Sequence, residues 1–469
     1  MKPAPKTSAK LNFGHPPETI EFWKRLVREA LSLSTPTPFF IFSALPVAAR
    51  ISELDAALTA AGFKSEISNL KSQIYCRHWL SCKTQPVAPL LRWWRAQGRP
   101  IEVVSEFELR AALAEGFAPE NILVNGPAKH HWLTQCAGAP IAESARFKNY
   151  QRAESEFGAP TLRGLSLNFD SPAELAALLP LAKKLNWRCG VRINTREEFD
   201  PENPQFPTQF GFMPDEAIIA IKKLQRARVR LETVHFHLRT NISSSQSYQR
   251  AIAEVAEICR AAKFNPLHLD IGGGLPVRHV LTRGGKVFDG EFGLRAFAEM
   301  LRQSAKLFPG LREIWLENGR RISAGSGALV VKILDVKERR DWGKAESGKR
   351  ESGNMLLRQI ICDGGRTLNA LTSLWEQHKI LTVPERTGAE TLTTVHGPTC
   401  MAFDQLARIP LPRSLWAGDH LVWLDAGAYH IPWEARFSHG HAAVLWHDEN
   451  GLRLARERQG FEEFWGHWK

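Results

Sequence analysis

The chain has 469 residues, 43% of them hydrophobic and 23% charged, which is the composition of a globular protein and excludes a disordered or low-complexity one. No run approaches the ~18 apolar residues of a membrane span, the start at Met1 has no apolar segment suited to secretion, and the seven scattered cysteines form no CxxC pair or disulfide framework; a cytoplasmic protein with reduced thiols is expected. Lys and Arg outnumber Asp and Glu by 61 to 49, but this net charge of +12 is spread along the chain, so an anionic small substrate is a better expectation than nucleic acid.

A polar tail and a helix occupy the chain up to about Ser34. Thr35 to Phe42 reads as a strand entered through prolines, and Pro46 to Ala61 has helical spacing through Ile51, Leu54, Ala57 and Leu58. From there one unit recurs: an apolar strand, a polar or reactive residue at its C-terminal end, then an amphipathic helix. Strand ends are predicted at Trp79–Lys83, Ile101–Ser105, Ile122–Asn125, Gly164–Asn168, Val191–Asn194, Val234–Leu238, His268–Ile271 and Ile314–Asn318. Helices fall between most of them, at Ser105–Ala114, Ser171–Leu185 and Tyr248–Lys263. Ser105 with Glu108, and Ser171 with Glu174, are capping boxes that place two helix starts. About eight strands alternating with helices predict an α/β fold, a parallel (β/α)8 TIM-type barrel with its active site at the C-terminal strand ends. An open doubly wound sheet is the alternative.

After Gly319 the texture changes. Leu329–Val336, Met355–Cys362, Thr391–Val395 and Leu421–Ala426 are short β-rich runs without intervening helices, and they predict a C-terminal all-β domain. The charged stretch Lys337–Gly353 reads as an exposed loop. The expected division is 1–43, a tail and a strand joining the β domain; 44–320, the barrel; and 321–469, the β domain.

The barrel's chemistry centres on the run Leu269-Asp-Ile-Gly-Gly-Gly-Leu-Pro276. Leu267, Leu269 and Ile271 alternate with His268 and Asp270, and the strand stops at Gly272, Gly273 and Gly274, whose backbone can approach an anion closely. A glycine run after a strand is more often a tight turn, but barrels commonly bind phosphate after their last two strands. Lys83 closes the first barrel strand; a lone lysine is usually solvated, yet in a barrel mouth it can form a Schiff base with a carbonyl. A pyridoxal cofactor needs such a lysine, a phosphate cradle and a carboxylate at its ring nitrogen; Glu317, facing the interior at the end of the last strand, offers that carboxylate. His235 and His237 share one strand face. They read either as metal ligands, with a third from His268 or Asp270, or as a flat group stacked on a cofactor ring (His237) beside a structural His235.

These residues resemble a family. Lys83, His237, the Leu269–Pro276 run, Glu317-Asn-Gly-Arg320, Gly397-Pro-Thr-Cys400 and Asp425-Ala-Gly-Ala-Tyr429 occur in the order seen in fold-type III PLP-dependent decarboxylases, the ornithine and diaminopimelate decarboxylase-like enzymes related to alanine racemase. The resemblance spans roughly Pro36 to Leu445, and its specificity lies in the order of the motifs. It implies that Lys83 holds pyridoxal 5'-phosphate, that His237 stacks on the ring and that Glu317 keeps the ring nitrogen protonated. Gly272, Gly273, Gly274, Arg320 and Tyr429 would bind the phosphate, and Glu102 and Arg192 would lie around the cofactor and lysine. Cys400 would come from the partner in a homodimer and return a proton after CO2 leaves, and Asp363 would meet the substrate amine. Bland readings stand beside these: Tyr429 as a packed aromatic, Cys400 as a structural thiol, Asp363 as turn chemistry, Arg320 as a solvated charge.

The departures bear on the substrate. Arg239-Thr240 replaces the family's Gly-Ser after the histidine, and Asn318 replaces a proline. Met401 replaces an acid that grips a distal amine, and a thioether cannot pair with an ammonium. A larger or anionic amino-acid conjugate fits better than ornithine, lysine or diaminopimelate. The sequence therefore predicts a PLP-dependent amino-acid decarboxylase, without membrane or nucleic-acid partners. The alternatives are a racemase or epimerase, against which Glu317 argues because alanine racemases place an arginine at the ring nitrogen; a metal-dependent hydrolase; and a non-catalytic PLP-binding relative.

Overall fold

The structure, a computed structural model, describes residues 12–64, 74–138, 162–198, 208–290, 292–344 and 350–468. Part of the N-terminal tail and the tip of the Lys337–Gly353 stretch lie outside the described residues. The chain divides into two units, one made of Arg50–Pro276 and Glu291–Arg321, the other of Met1–Ala49, Val277–Gly290 and Ile322–Lys469.

In the first unit the parallel strands run in the order Tyr75–His78, Glu313–Leu316, His268–Asp270, Arg230–His235, Arg188–Arg192, Ser166–Phe169, Ile122–Val124, Ile101–Val103 and Leu80–Ser81. The first and last of these are one strand interrupted at Trp79, whose N–H still donates to Leu316 C=O at 2.9 Å. The sheet therefore closes into a parallel barrel. Helices separate the strands because the sequence starts them firmly: Ser105 Oγ accepts Glu108 N–H and Ser171 Oγ accepts Glu174 N–H, satisfying donors that a helix start leaves open.

Alternation along each strand gives the barrel interior its layers. The floor is aromatic: Trp79 and Trp315 lie 4.7 Å apart, and His268 stacks on Trp315 at 4.6 Å while its Nδ1 meets Thr233 Oγ1 at 3.1 Å. Two residues further along each strand the interior turns polar, with Ser81, Asn125, Asn168, His235, Asp270 and Glu317 all buried. Such a layer costs stability unless its groups bond one another, and it faces the C-terminal mouth.

The second unit is built on a mostly antiparallel sheet. Phe39–Ser43 pairs antiparallel with Gly327–Val330 and parallel with Ala443–His447, so the early strand lies in the midst of this sheet. The helix Pro17–Ser32 lays Trp23, Leu26 and Val27 on its core, against Phe39, Ile41 and Leu445. One expectation is corrected here. Residues 337–344 and 350–353 are not loop, because strands Gly327–Lys344 and Arg350–Cys362 pair as a long antiparallel ribbon, from Ile333 opposite Cys362 to Lys344 opposite Arg350. Exposed Glu338, Arg339 and Arg340 gave no alternating apolar signal, because that part of the ribbon covers no core. Among the described residues no helix is long and apolar enough to cross a membrane.

Candidate active site

The predicted strand at Trp79–Lys83 ends early, and its last residues form a single 3-10 turn, Cys82–Thr84, that carries Lys83 to the mouth. Its side chain is 35% exposed, and Nζ lies 3.1 Å from both oxygens of Glu102. Glu102 is fully buried on the next strand, and Ser81 Oγ–H donates to it at 2.6 Å. One open amine thus stands over a buried, doubly bonded carboxylate.

The glycine turn follows the strand His268–Asp270. Gly272 and Gly274 take φ of +63° and +96°, which side chains rarely adopt. A Cβ at Gly272 would sit 2.4 Å from His237 Nδ1, and one at Gly273 would sit 2.5 Å from Glu317 O. Three backbone-anchored bonds join the parts: Asp270 Oδ1 accepts Gly272 N–H at 3.0 Å, His237 Nδ1 accepts Gly273 N–H at 3.1 Å, and Gly272 O accepts Glu317 N–H at 2.8 Å. The turn, His237 and Glu317 form one packed piece.

The electrostatics follow from this packing. Burial pushes Glu317 well above the usual carboxyl range, with the charges of Asp270 and Glu102 adding to it against Lys83. Burial also lifts Asp270 to about 7. His235 and His237 are pushed well below 6.5, first by burial and then by Arg192, so both are neutral imidazoles near pH 7. His237 accepts on Nδ1 and so carries its proton on Nε2. Neither ring nitrogen of buried His235 has a hydrogen-bond partner among the described residues.

Arg192 lies over the Phe210 ring, 4.2 Å from its centroid, and donates to Glu198 Oε1 at 3.1 Å. Arg239 follows His237, and its charge adds to the hydrogen bonds from Arg250 that hold Glu197 low. Arg320 lies in the short helix Gly319–Ser323, whose first residue packs on Thr84. The metal alternative does not get its expected third ligand, because His268 is engaged with Thr233 and Trp315, and Asp270 with Gly272 and Asn168. Ligand atoms of His235, His237 and Glu317 do lie within 4.8 Å of one another, but two of these residues are the walls of the glycine turn.

The remaining predicted residues belong to the second unit. Asp425 and Tyr429 bracket a turn, both with left-handed φ, of +59° and +65°. Gly427 fits there only as glycine, since its backbone lies against Ser323 O. Tyr429 packs on Val277, Val280, Ala324 and Ala428. Both Asp363 oxygens are engaged, by Thr37 Oγ1–H at 2.5 Å and by Lys332 N–H at 2.8 Å, and burial raises its carboxyl. Cys400 is exposed and Met401 half-buried.

Sequence reasoning overlooked Ser81, Asn125 and Asn168. Asn168 Nδ2 donates to Asn125 Oδ1 at 3.0 Å and to Asp270 Oδ2 at 3.1 Å, and Asn125 Nδ2 donates to Glu317 Oε1 at 2.6 Å. The available signal was positional: each is polar, at or near the C-terminal end of a strand, in the same interior register as Glu102 or Glu317.

A barrel whose mouth carries an open amine, a glycine turn and a buried acid beside a neutral histidine defines the class of enzymes that hold an aldehyde cofactor through a lysine. Residues 77–324 match the family model for the pyridoxal-dependent decarboxylase, pyridoxal binding domain. The chain belongs to the pyridoxal-dependent decarboxylase family, with pyridoxal phosphate as cofactor and carboxy-lyase chemistry. It is 25% identical over 441 residues to diaminopimelate decarboxylase of Deinococcus radiodurans, covering 92% of this chain and 95% of the relative. It is 23% identical over 367 residues to a probable ornithine decarboxylase of Dictyostelium discoideum, covering 77% and 71%. Among solved structures, diaminopimelate decarboxylase from Helicobacter pylori complexed with L-lysine aligns with a TM-score of 0.71 at 21% identity, over 94% of this chain and 99% of that one. The residues present fit the cofactor: a glycine turn that a Cβ would fill, an open lysine, and buried polar atoms of His235 and of Asn318 (Nδ2) that lack protein partners among the described residues.

Proposed function

We propose that this chain decarboxylates an amino acid whose side chain ends in an acidic or otherwise non-cationic group, such as an amino-acid conjugate. Lys83 Nζ would hold the cofactor through its aldehyde, His237 would face its ring, and Glu317 would meet the ring nitrogen. The Gly272–Gly274 backbone, with Arg320 and Tyr429, receives the phosphate, while Glu102 orients Lys83 and Arg192 organises the acids beside it. Bound there, pyridoxal phosphate supplies an electron sink for the bond that a departing carboxylate breaks. Cys400 returns a proton to the substrate carbon and Asp363 meets the substrate amine, both supplied across a homodimer.

One observation carries this reading. Lys83 Nζ sits 3.1 Å from both oxygens of buried Glu102, while the charges of Lys83 and Glu102 both act on Glu317, which is welded to the glycine turn. The supports for the substrate class are Met401 and Arg239, which leave a distal ammonium without its usual acid and add a cation. The test is a CO2-release screen of the purified holoenzyme. Diamino acids, their N-acyl and carboxylated conjugates, and acidic amino acids make up the panel. Release from an acidic conjugate at a kcat/KM above those for lysine, ornithine and diaminopimelate supports the proposal. Preference for a free diamino acid overturns the substrate class. Enantiomer exchange without gas overturns decarboxylation.

A further inference from the structure

Two carboxyl groups, Asp270 and Glu317, are buried together in the barrel, and two carboxamides, Asn125 and Asn168, join them. All belong to the polar interior layer; the two carboxyls are hydrogen-bonded to each other, and the bonds through the amides run in one direction. Asp270 accepts on both oxygens, from Gly272 N–H and from Asn168, so Asn168 must turn its NH2 group toward it. The same NH2 meets Asn125, which must therefore present its oxygen. Only the Asn125 NH2 is then left for Glu317, and it lies 2.6 Å from Oε1. Asn168 Oδ1 has no partner among the described residues, so the contacts of its NH2 hold the orientation. Gly190 makes room for it, since a Cβ there would lie 2.0 Å from that oxygen.

We infer that Asn125, oriented by Asn168, is a positioning residue that fixes Oε1 of Glu317 as a hydrogen-bond acceptor and so holds the carboxyl in the orientation that meets the cofactor's ring nitrogen. This rests on the reading of Glu317 as the ring-nitrogen partner. An unpinned carboxyl would rotate and offer either oxygen, and its hydrogen bond to the ring nitrogen would weaken. The glycine turn enters the same chain through Asp270, so the phosphate cradle and the ring-nitrogen acid are held in one register.

The experiment compares two ligands of the apoenzyme, pyridoxal phosphate and its 1-deaza analogue, in which carbon replaces the ring nitrogen. The readout is the ratio of their dissociation constants, measured by absorbance titration, in the wild type, Glu317→Gln, Asn125→Leu and Asn168→Ala. Asn125→Ser serves should the leucine variant fail to fold, and thermal melts check each protein. The wild type should prefer the natural cofactor, and both asparagine variants should lose about tenfold of that preference, the scale of one hydrogen bond to a charged group, as Glu317→Gln does. A purely structural role would weaken both ligands equally and leave the ratio alone. Wild-type ratios in the asparagine variants with a collapsed ratio in Glu317→Gln overturn this inference and leave the assignment of Glu317 standing. An unchanged ratio in Glu317→Gln overturns that assignment, and the inference with it.

Discussion

Gly273→Ala tests the packing at the mouth with a single methyl group. Gly272 and Gly274 sit at positive φ but Gly273 does not, so alanine there meets a steric demand and no backbone one. Its Cβ would lie 2.5 Å from Glu317 O, inside the 3.0 Å that real Cβ contacts respect, and 3.3 Å from the carbonyl carbon. The carbonyl cannot swing away freely, because it accepts Gly319 N–H at 2.7 Å. A separation of about 0.5 Å must open between the turn and the end of the last barrel strand, at the ~1–3 kcal/mol that overpacking costs. In the proposed site Glu317 and the turn hold the two ends of the cofactor, so the same displacement would spoil both contacts at once. Pyridoxal phosphate should bind at least tenfold more weakly in an absorbance titration, and urea unfolding of the apoenzyme should show a loss of ~1–3 kcal/mol. Gly272→Ala should be worse, adding a left-handed φ to a 2.4 Å contact. Wild-type stability and cofactor affinity in Gly273→Ala would refute the reasoning.

Other perturbations read different parts of the account. Glu108 is raised to about 7, first by burial and then by the Glu102 charge, so the folded state binds more protons than the unfolded state between about pH 4.5 and 7 and stability falls as pH rises through that window. Glu108→Gln, which keeps an acceptor for Val104 N–H, should flatten that slope and gain up to about 3 kcal/mol at pH 8 in denaturant titrations; Glu198, also raised to about 7, keeps part of the slope. An unchanged pH profile would count against the burial argument. Cys400→Ala should lower kcat for CO2 release by roughly 10- to 1,000-fold with cofactor affinity unchanged, and equal kcat would remove it from proton return. Met401→Glu should raise kcat/KM for a free diamino acid roughly tenfold or more; no gain would place the distal contact elsewhere.

Much of the barrel was legible because its strands are short apolar runs such as Ile122–Val124, closed by polar residues, and because helices such as those capped by Ser105 and Ser171 start between them. Glu317 could be read from parity alone, two residues beyond an interior-facing Trp315. The break at Trp79 could not, since nothing in an apolar stretch says where one strand changes hydrogen-bonding neighbour. The ribbon strands at 337–344 and 350–353 escaped notice because a strand that covers no core need not alternate. Asn125 and Asn168 were passed over for a related reason: an amide at a strand end is ordinary turn chemistry, and only the register of their two paired strands brings them within 3.0 Å. What the sequence does not carry is which polar strand ends face one another across the interior.

Borohydride reduction of the holoenzyme, followed by peptide mass mapping, tests the central claim most directly. The account predicts one phosphopyridoxyl group per chain, on the peptide bearing Lys83, and none in Lys83→Ala. Attachment to a different lysine, or no attachment to any, would contradict it.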